Sequence, residues 1–186
     1  MKYILDFDEV IFNTTALKKK LSECGIAEST RSAGVFDEIK RRDPSFKIEN
    51  LVFDEVMAFL QNHRGDCEIV SSYISTDPTK TTNENTQRLY HEEKIKRSGI
   101  ANIVGQEHVH VVGKSKAEVL SELKRRFDSE GEDCVFVDDR KEYVEEAQTL
   151  GIQAFWMRKE YVGGSFEGAK EHREYNKISS LKELET

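Results

Sequence analysis

The sequence has few cysteines and no long apolar run. Its three cysteines, Cys24, Cys67 and Cys134, are odd in number and form no CxxC pair, which argues against a disulfide framework or a zinc knuckle. They favour a reducing compartment. The N-terminal MKYILDFDEVIF carries three acids within a short apolar run, unlike a secretory signal, and no run is long enough to cross a bilayer. A cytoplasmic protein without membrane contact is expected.

Composition narrows the class further. A chain of 186 residues, 37% hydrophobic and 34% charged, suits a soluble globular protein with one domain, or a core with a modest insertion. The net charge of -7 argues against a broad nucleic-acid surface. Basic clusters at Lys18–Lys20 and Lys40–Arg42 are interpreted as solvated helix faces. No nucleic-acid partner is expected, and the chain is expected to be a monomer or homodimer.

Short apolar runs alternate with helical periodicities over most of the chain. Strands are predicted at 2–7, 67–70, 109–112, 134–137 and 152–156. Helices are predicted at 116–127, with Ser115 and Glu118 as a capping box, and at 141–150. This alternation indicates an α/β fold, a Rossmann-like three-layer core with a parallel sheet, whose ligands bind at the carboxyl ends of the strands.

The stretch 13–65 departs from this alternation and is predicted to be a small α-helical cap. It would be inserted into a core formed by 1–12 and 66–186. Three helical stripes support this prediction: Leu17, Leu21 and Cys24, then Val35, Phe36 and Ile39, then Val52, Val56, Phe59 and Leu60. Farther along the chain, Gly163 and Gly164 indicate a surface loop.

Two acids, Asp6 and Asp8, stand at the end of the first predicted strand. Strand alternation would point their side chains to opposite faces, so they converge only if the strand ends there. Beyond the strand, one carboxylate could act as a nucleophile while the other reaches the leaving group. A plain pair of loop acids is the alternative interpretation.

Four segments, in order, resemble the four motifs of the haloacid dehalogenase (HAD)-like hydrolases. They are YILDFDEVIFNT, EIVSS, GKSKAEVL and VFVDDRKEYVEEAQTLGI. The resemblance covers nearly the whole chain, and the first and fourth motifs are its most specific parts. It implies the HAD fold, in the phosphatase branch with a small helical cap of the C1 type. Asp8 speaks against the dehalogenase branch, which lacks the second acid.

The resemblance also implies a metal site. Asp6 would be the nucleophile and bind metal through its side chain, while Asp8 would bind through its backbone carbonyl and act as general acid and then base. Asp138 would be a ligand, and Asp139 a direct or more distant one. The negative charge of these four aspartates leads to the same expectation, because they would repel a phosphate dianion unless a bound cation balanced their charge. Carboxylate oxygens suit Mg²⁺.

The phosphoryl group has its own predicted partners. By resemblance, the Ser71 hydroxyl and the Ser72 backbone amide would bind phosphoryl oxygens. A lysine would neutralise charge on Asp6 and on the transferring group. Lys116 matches one form of the third motif and Lys114 another, with Lys116 favoured, and either could be a solvated charge at a helix end.

The predicted function is Mg²⁺-dependent hydrolysis of a small phosphorylated metabolite through an aspartyl-phosphate on Asp6. A phosphomutase or phosphotransferase of the same fold is one alternative. A non-catalytic phosphoryl-binding protein is another.

A few other residues invite a functional interpretation. His108 and His110 share a strand face and would permit metal binding, but no third histidine or cysteine stands in the same segment. His91 lies in a polar helical segment and is expected to face water. Asn13 and Thr14 are either substrate-selecting cap residues or an ordinary helix cap. Glu9, where many HAD relatives have glycine or another small or acidic residue, adds negative charge near the site.

Overall fold

A computed structural model describes residues 1–73, 83–158 and 175–185. In this part of the chain six strands form one parallel sheet with the order β3-β2-β1-β4-β5-β6. The strands are β1 (Lys2–Leu5), β2 (Cys67–Ser72), β3 (Val109–Val112), β4 (Cys134–Asp138), β5 (Gln153–Met157) and β6 (Asn176–Ile178). The loop predicted around Gly163 and Gly164 lies outside the described residues.

Helices cover both faces of the sheet. The α-helices are α1 (Thr14–Glu23), α2 (Val35–Arg42), α3 (Asp54–Asn62), α4 (Glu84–Ser98), α5 (Ile100–Val104), α6 (Ala117–Glu130) and α7 (Lys141–Thr149). Short 3₁₀ helices span Ile48–Leu51, Gln106–His108 and Leu181–Glu185. The apolar side chains of α6 and α7 pack on one face, and those of α1 to α5 on the other. The predicted three-layer α/β fold is confirmed.

The strands are apolar on both sides because each side meets a helical layer. In β1, Ile4 joins the cluster of α6 and α7, whereas Tyr3 and Leu5 join the cluster on the opposite face. Ile4 and Leu5 are fully buried. Burying a side chain of this size stabilises the fold by roughly 1.5–3 kcal/mol. The central strand, which ends at the predicted catalytic acids, is therefore held rigidly from both faces.

The predicted cap segment is helical in the structure. Its three helices α1 to α3 contribute buried side chains to the same hydrophobic cluster as β1. In α3, the Phe59 ring lies edge-on to Tyr3 of β1, with ring centroids 5.0 Å apart. The division into a core and a cap at 13–65 stays a prediction. Across the described ranges, no helix is both long and apolar enough to cross a membrane.

A buried carboxylate joins β2, β3 and α6. Glu68 of β2 is 3% exposed. Its Oε1 lies 2.9 Å from His108 Nδ1, and its Oε2 lies 2.8 Å from His110 Nε2. Arg126 of α6 donates a further hydrogen bond to Oε1. The two histidines that could have suggested a metal site thus share one carboxylate, which ties an edge strand of the sheet to a helix.

Acid is expected to weaken this cluster. Burial alone would raise the pKa of Glu68, but the hydrogen bonds from His110, His108 and Arg126 lower it to about 2. A folded-state pKa below the unfolded one gives stability that is present above the unfolded pKa and is lost as pH falls through the folded pKa. Glu68→Gln should therefore lower the free energy of unfolding by about 2 kcal/mol at neutral pH. Denaturant titrations should show this difference shrinking between the unfolded pKa and about pH 2. A difference independent of pH would contradict this account of the cluster.

Candidate active site

The strand ends bring three acids together at the carboxyl edge of the sheet. β1 ends at Leu5, and the next residue, Asp6, donates its backbone N–H to Val137 of the neighbouring β4 at 2.9 Å. Asp138 ends β4, and Asp139 follows it. Carboxylate oxygens of Asp6, Asp138 and Asp139 all lie within 4.8 Å of one another. Within the described part of the chain, no other group of histidines, cysteines or acids meets this condition.

A buried lysine joins two of these acids. Lys116, which directly precedes α6, is fully buried, and its Nζ lies 2.5 Å from Asp6 Oδ1 and 2.6 Å from Asp138 Oδ2. Lys114 is exposed, and its backbone carbonyl accepts a hydrogen bond from the Tyr143 hydroxyl at 2.8 Å. Of the two candidate lysines, the fold brings Lys116 to the acids and leaves Lys114 at the surface.

One lysine does not compensate three crowded carboxylates. Burial raises the pKa of Asp6 even though Lys116 opposes this, and it raises the pKa of Asp138 as well. Burial, together with the charges of Asp6 and Asp138, raises the pKa of Asp139 to about 9. Burial alone would lower the pKa of Lys116, but Asp138 and Asp6 raise it instead. The ionised forms of the three acids are therefore disfavoured in this desolvated place, and a bound cation would stabilise them.

The residues present fit a magnesium ion. Three carboxylate oxygens at close range are hard ligands, and Mg²⁺ prefers a few protein carboxylates together with waters and substrate phosphate. Zn²⁺ sites in proteins use histidine or cysteine, and neither contributes to this group. Asp6, Asp138 and Asp139 are the side chains that would hold the ion.

Asp8 lies in the same pocket but has a different set of partners. Its Oδ1 accepts hydrogen bonds from the Thr14 hydroxyl and from Lys94 Nζ, and His91 Nδ1 lies 3.7 Å from its Oδ2. Burial alone would raise the pKa of Asp8, but the charge of Lys94, with His91 and the hydrogen bonds, holds it well below its usual range. Thr14 of α1 and Lys94 of α4 together orient its carboxylate.

Glu9 adopts the left-handed region, with a φ of 59°. This conformation explains why a glycine would be favoured at this position. Its carboxylate accepts hydrogen bonds from the Thr15 N–H at 2.7 Å and the Thr15 hydroxyl at 2.8 Å. The extra negative charge of Glu9 is therefore bound at the N-terminus of α1, where a helix dipole favours it.

The two serines at the end of β2 point to opposite faces, as strand alternation requires. Ser72 lines the pocket, its Oγ lies 3.1 Å from the Tyr143 hydroxyl oxygen, and it donates a hydrogen bond to the Gly113 carbonyl. Ser71 is fully buried and does not line the pocket, and among the described residues its Oγ has no hydrogen-bond partner. The fold brings the Ser72 side chain, and not that of Ser71, toward Asp6.

The expectation that His91 faces water is wrong. It is 8% exposed and belongs to a buried stripe on α4 that consists of Gln87, Tyr90, His91, Lys94, Ile95 and Ser98. Most residues of this stripe are polar, so the hydropathy of the sequence does not identify it as a buried helix face. The signal that could have revealed it is the spacing of three and four residues along the helix. Lys94, 1% exposed and joined to Asp8, is the site residue that the sequence interpretation missed.

Asn13 is an ordinary helix cap. Its Oδ1 accepts the backbone N–H of Ala16 at 2.7 Å, which satisfies one of the free donors at the start of α1. Thr14, by contrast, reaches the site through Asp8. Of the two substrate-selecting candidates, only Thr14 lines the pocket.

The pocket itself is small, with a volume of about 230 Å³. This size admits a small phosphorylated molecule but not a folded protein. Its lining residues are Asp6, Asp8, Glu9, Thr14, Lys18, Arg31, Ser72, Tyr90, His91, Lys94, Asp139, Arg140 and Tyr143.

No protein-family model matches the sequence, and no curated protein matches it. Solved structures do match. A haloacid dehalogenase-like hydrolase from Burkholderia xenovorans is 13% identical with a TM-score of 0.58, over 98% of this chain and 95% of that one. A dehalogenase in an intermediate complex is 10% identical with a TM-score of 0.51, over 98% and 94%. The UTR4 protein of Saccharomyces cerevisiae is 10% identical with a TM-score of 0.50, over 98% and 99%.

At such low identity these likenesses concern the fold. The six-stranded parallel sheet, its flanking helices and the acids at its carboxyl edge agree with the resemblance that the sequence motifs carry. This chain has the fold of the haloacid dehalogenase-like hydrolases.

Proposed function

We propose that this chain is a Mg²⁺-dependent phosphatase of the HAD type that hydrolyses a small phosphomonoester through an aspartyl-phosphate on Asp6. The observation that carries the proposal is the close group of three acids, the buried Asp6 and Asp138 and the half-buried Asp139, with Lys116 bound to the first two. Carboxylates this close together, in so desolvated a place, are costly unless a cation and an anionic substrate use them.

Asp6 is the nucleophile in this proposal. Its carboxylate lies at the inner end of the pocket, on a strand held from both faces, and Lys116 binds one of its oxygens at 2.5 Å. Lys116 orients this carboxylate and carries a positive charge at the point where the phosphoryl group is transferred. When bound, Mg²⁺ supplies charge neutralisation for the phosphoryl oxygens and for the acids around them.

Asp8 is the general base and general acid in this proposal. In the second displacement, when water attacks the phosphorus of the aspartyl-phosphate, its ionised carboxylate accepts a proton from that water. It gives this proton to the departing alcohol in the first displacement of the next turnover. The contacts from Thr14 and Lys94 orient its carboxylate and favour its ionised form, which is the form that the second displacement needs. The Ser72 hydroxyl lines the pocket and is the better-supported serine donor to a phosphoryl oxygen, with Ser71 turned away.

A dehalogenase shares the fold, and Asp8 argues against that activity. A dehalogenase needs no proton donor for a departing halide, whereas an alkoxide leaving group does. Here the second acid is present, lines the pocket and has three polar neighbours. The pocket volume of about 230 Å³ further favours a small phosphorylated metabolite as substrate. The helices of 13–65 would form the C1-type cap over it.

Removing the metal should remove the activity. Wild-type protein should release phosphate from p-nitrophenyl phosphate and from part of a panel of metabolite phosphates in Mg²⁺, and the rate should fall to background in EDTA and return on adding Mg²⁺. The same protein should release no halide from 2-chloropropionate. Halide release, or phosphate release unaffected by EDTA, would overturn the proposal.

A further inference from the structure

The pocket has a basic wall on the side of Asp8. Four side chains from outside the sequence motifs form this wall: Arg31, before α2, and Tyr90, His91 and Lys94 of α4. Tyr90 supplies an aromatic surface in this wall, and we refer to its three nitrogen-bearing side chains, Arg31, His91 and Lys94, as the basic wall. Asp6 and Ser72 line the same pocket, and the proposed phosphoryl position lies between them and Lys116. The basic wall therefore faces the alcohol part of a bound ester.

His91 has a nitrogen without a partner. His91 is 8% exposed, and its Nδ1 has no hydrogen-bond partner in the described part of the chain. A buried polar atom that lines a pocket and has no hydrogen-bond partner in the protein usually bonds to a ligand or a water molecule. Its nearest acidic atom, Asp8 Oδ2, is 3.7 Å away, beyond a good hydrogen bond.

Arg31 presents a positive charge without a carboxylate partner among the described residues. Its Nη1 donates to the backbone carbonyls of Glu28, at 2.8 Å, and Thr30, at 3.0 Å. The guanidinium carbon lies 5.4 Å from the centre of the Tyr90 ring. Arg31 is thus held in place by backbone and aromatic contacts, while its charge remains available to an anion.

Lys94 completes the wall. Its ammonium lies 5.4–5.6 Å from the ring centres of Phe7, Phe12 and Tyr90, and Asp8 is its carboxylate partner. Lys94 is 1% exposed and lines the pocket together with the 25% exposed Asp8, so an anion bound in the pocket would share this cation.

We propose that Arg31, His91 and Lys94 bind a second negatively charged group on the alcohol part of the substrate. The substrate class is then a phosphomonoester with a further carboxylate or phosphate. This inference rests on the proposed phosphatase function and names its substrate class. The specificity determinants lie partly on α4, which follows β2, and not only on the predicted cap.

Matched substrate pairs test this without any variant. The wild type should hydrolyse phosphoglycolate about tenfold or more faster, in kcat/KM, than ethyl phosphate if the second group is a carboxylate. If it is a phosphate, a hexose bisphosphate should show the same advantage over the hexose monophosphate. If neither doubly charged substrate were hydrolysed faster than its singly charged partner, the inference would be overturned.

Arg31→Gln should lower kcat/KM for the doubly charged substrates much more than for p-nitrophenyl phosphate, and so remove most of this preference. Arg88→Gln is the matched control, because Arg88 lies on α4, pairs with Glu92 at 2.8 Å and does not line the pocket. A loss in Arg31→Gln that is equal for singly and doubly charged substrates would contradict a binding role.

The two proposals fail in different ways. If p-nitrophenyl phosphate turns over with Mg²⁺ but the pairs show no preference, only the basic wall assignment fails. If nothing is hydrolysed, the phosphatase proposal fails, and calorimetry with phosphonoacetate and ethylphosphonate in Mg²⁺ still tests the wall. Tighter binding of phosphonoacetate, lost in Arg31→Gln, would support it, and equal binding would overturn it.

Discussion

Replacing Asp6 by asparagine is expected to lower kcat for p-nitrophenyl phosphate roughly 10⁴-fold or more, since an amide cannot form the aspartyl-phosphate. The fold should survive, because Lys116 keeps Asp138 as a carboxylate partner at 2.6 Å. Removing one of three crowded buried acids should leave the unfolding temperature in EDTA unchanged or raise it. Steady-state kinetics and thermal unfolding measure the two effects separately.

Asp66→Asn is a suitable control for this change. Asp66 precedes β2 at the opposite end of the sheet and forms a partly exposed ion pair with Lys2 at 2.7 Å. Its loss should leave kcat within about twofold and stability within about 1 kcal/mol. If Asp6→Asn retained more than a small fraction of wild-type kcat, Asp6 would not be the nucleophile.

Lys116→Met is expected to have the largest effect on stability. The variant leaves Asp6 and Asp138 buried without their cation, and breaking a buried ion pair from one side costs about 3–5 kcal/mol. Urea unfolding in EDTA should show this loss. Mg²⁺ should restore part of the lost stability. It should also stabilise the variant more than the wild type, because the bound ion would balance the negative charge of Asp6 and Asp138 in place of Lys116.

The exposed Lys124 provides the comparison. It pairs with Asp128 on the surface of α6 at 2.8 Å, so Lys124→Met should change the free energy of unfolding by less than about 1 kcal/mol. A Lys116→Met protein as stable as the wild type in EDTA would show that Lys116 does not compensate the acids.

Much of the fold could be predicted from the alternation of short apolar runs with helical stripes. Both faces of β1 and β4 are buried, so their sequences are almost wholly apolar until they reach Asp6 and Asp138. That abrupt change from apolar to acidic residues marks both the strand ends and the site. β6 is only three residues long, Asn176–Ile178, and no such pattern could reveal it.

The contacts at the start of α6 could not be predicted from the local sequence pattern. The predicted capping box of Ser115 and Glu118 is wrong, because the N-cap residue of α6 is Lys116, which has no side-chain capping hydrogen bond. Ser115 Oγ instead accepts the Ala117 N–H at 3.1 Å and donates to Glu146 of α7 at 2.7 Å. Glu146 also accepts the Lys116 N–H at 3.1 Å, which fixes the lysine backbone. Tertiary partners such as Glu146 have no signature in the local sequence.

The α4 helix was misjudged for a related reason. Hydropathy assigns Lys94 and His91 to water, whereas the fold buries them against Asp8, a partner 86 residues away from Lys94. Polar burial of this kind depends on which charges meet in three dimensions. Likewise, Ser71 and Ser72 are equivalent in sequence, and only the register of β2 with β3 determines which one faces the pocket.

The stereochemical course at phosphorus tests the central claim most directly. Hydrolysis of a phosphorothioate monoester made chiral by oxygen isotopes, in water of a third isotope, reports each in-line displacement as one inversion. Transfer through Asp6 uses two displacements, so this account predicts net retention of configuration. Net inversion would mean that water attacks the substrate directly, and would contradict the assignment of Asp6 as the nucleophile.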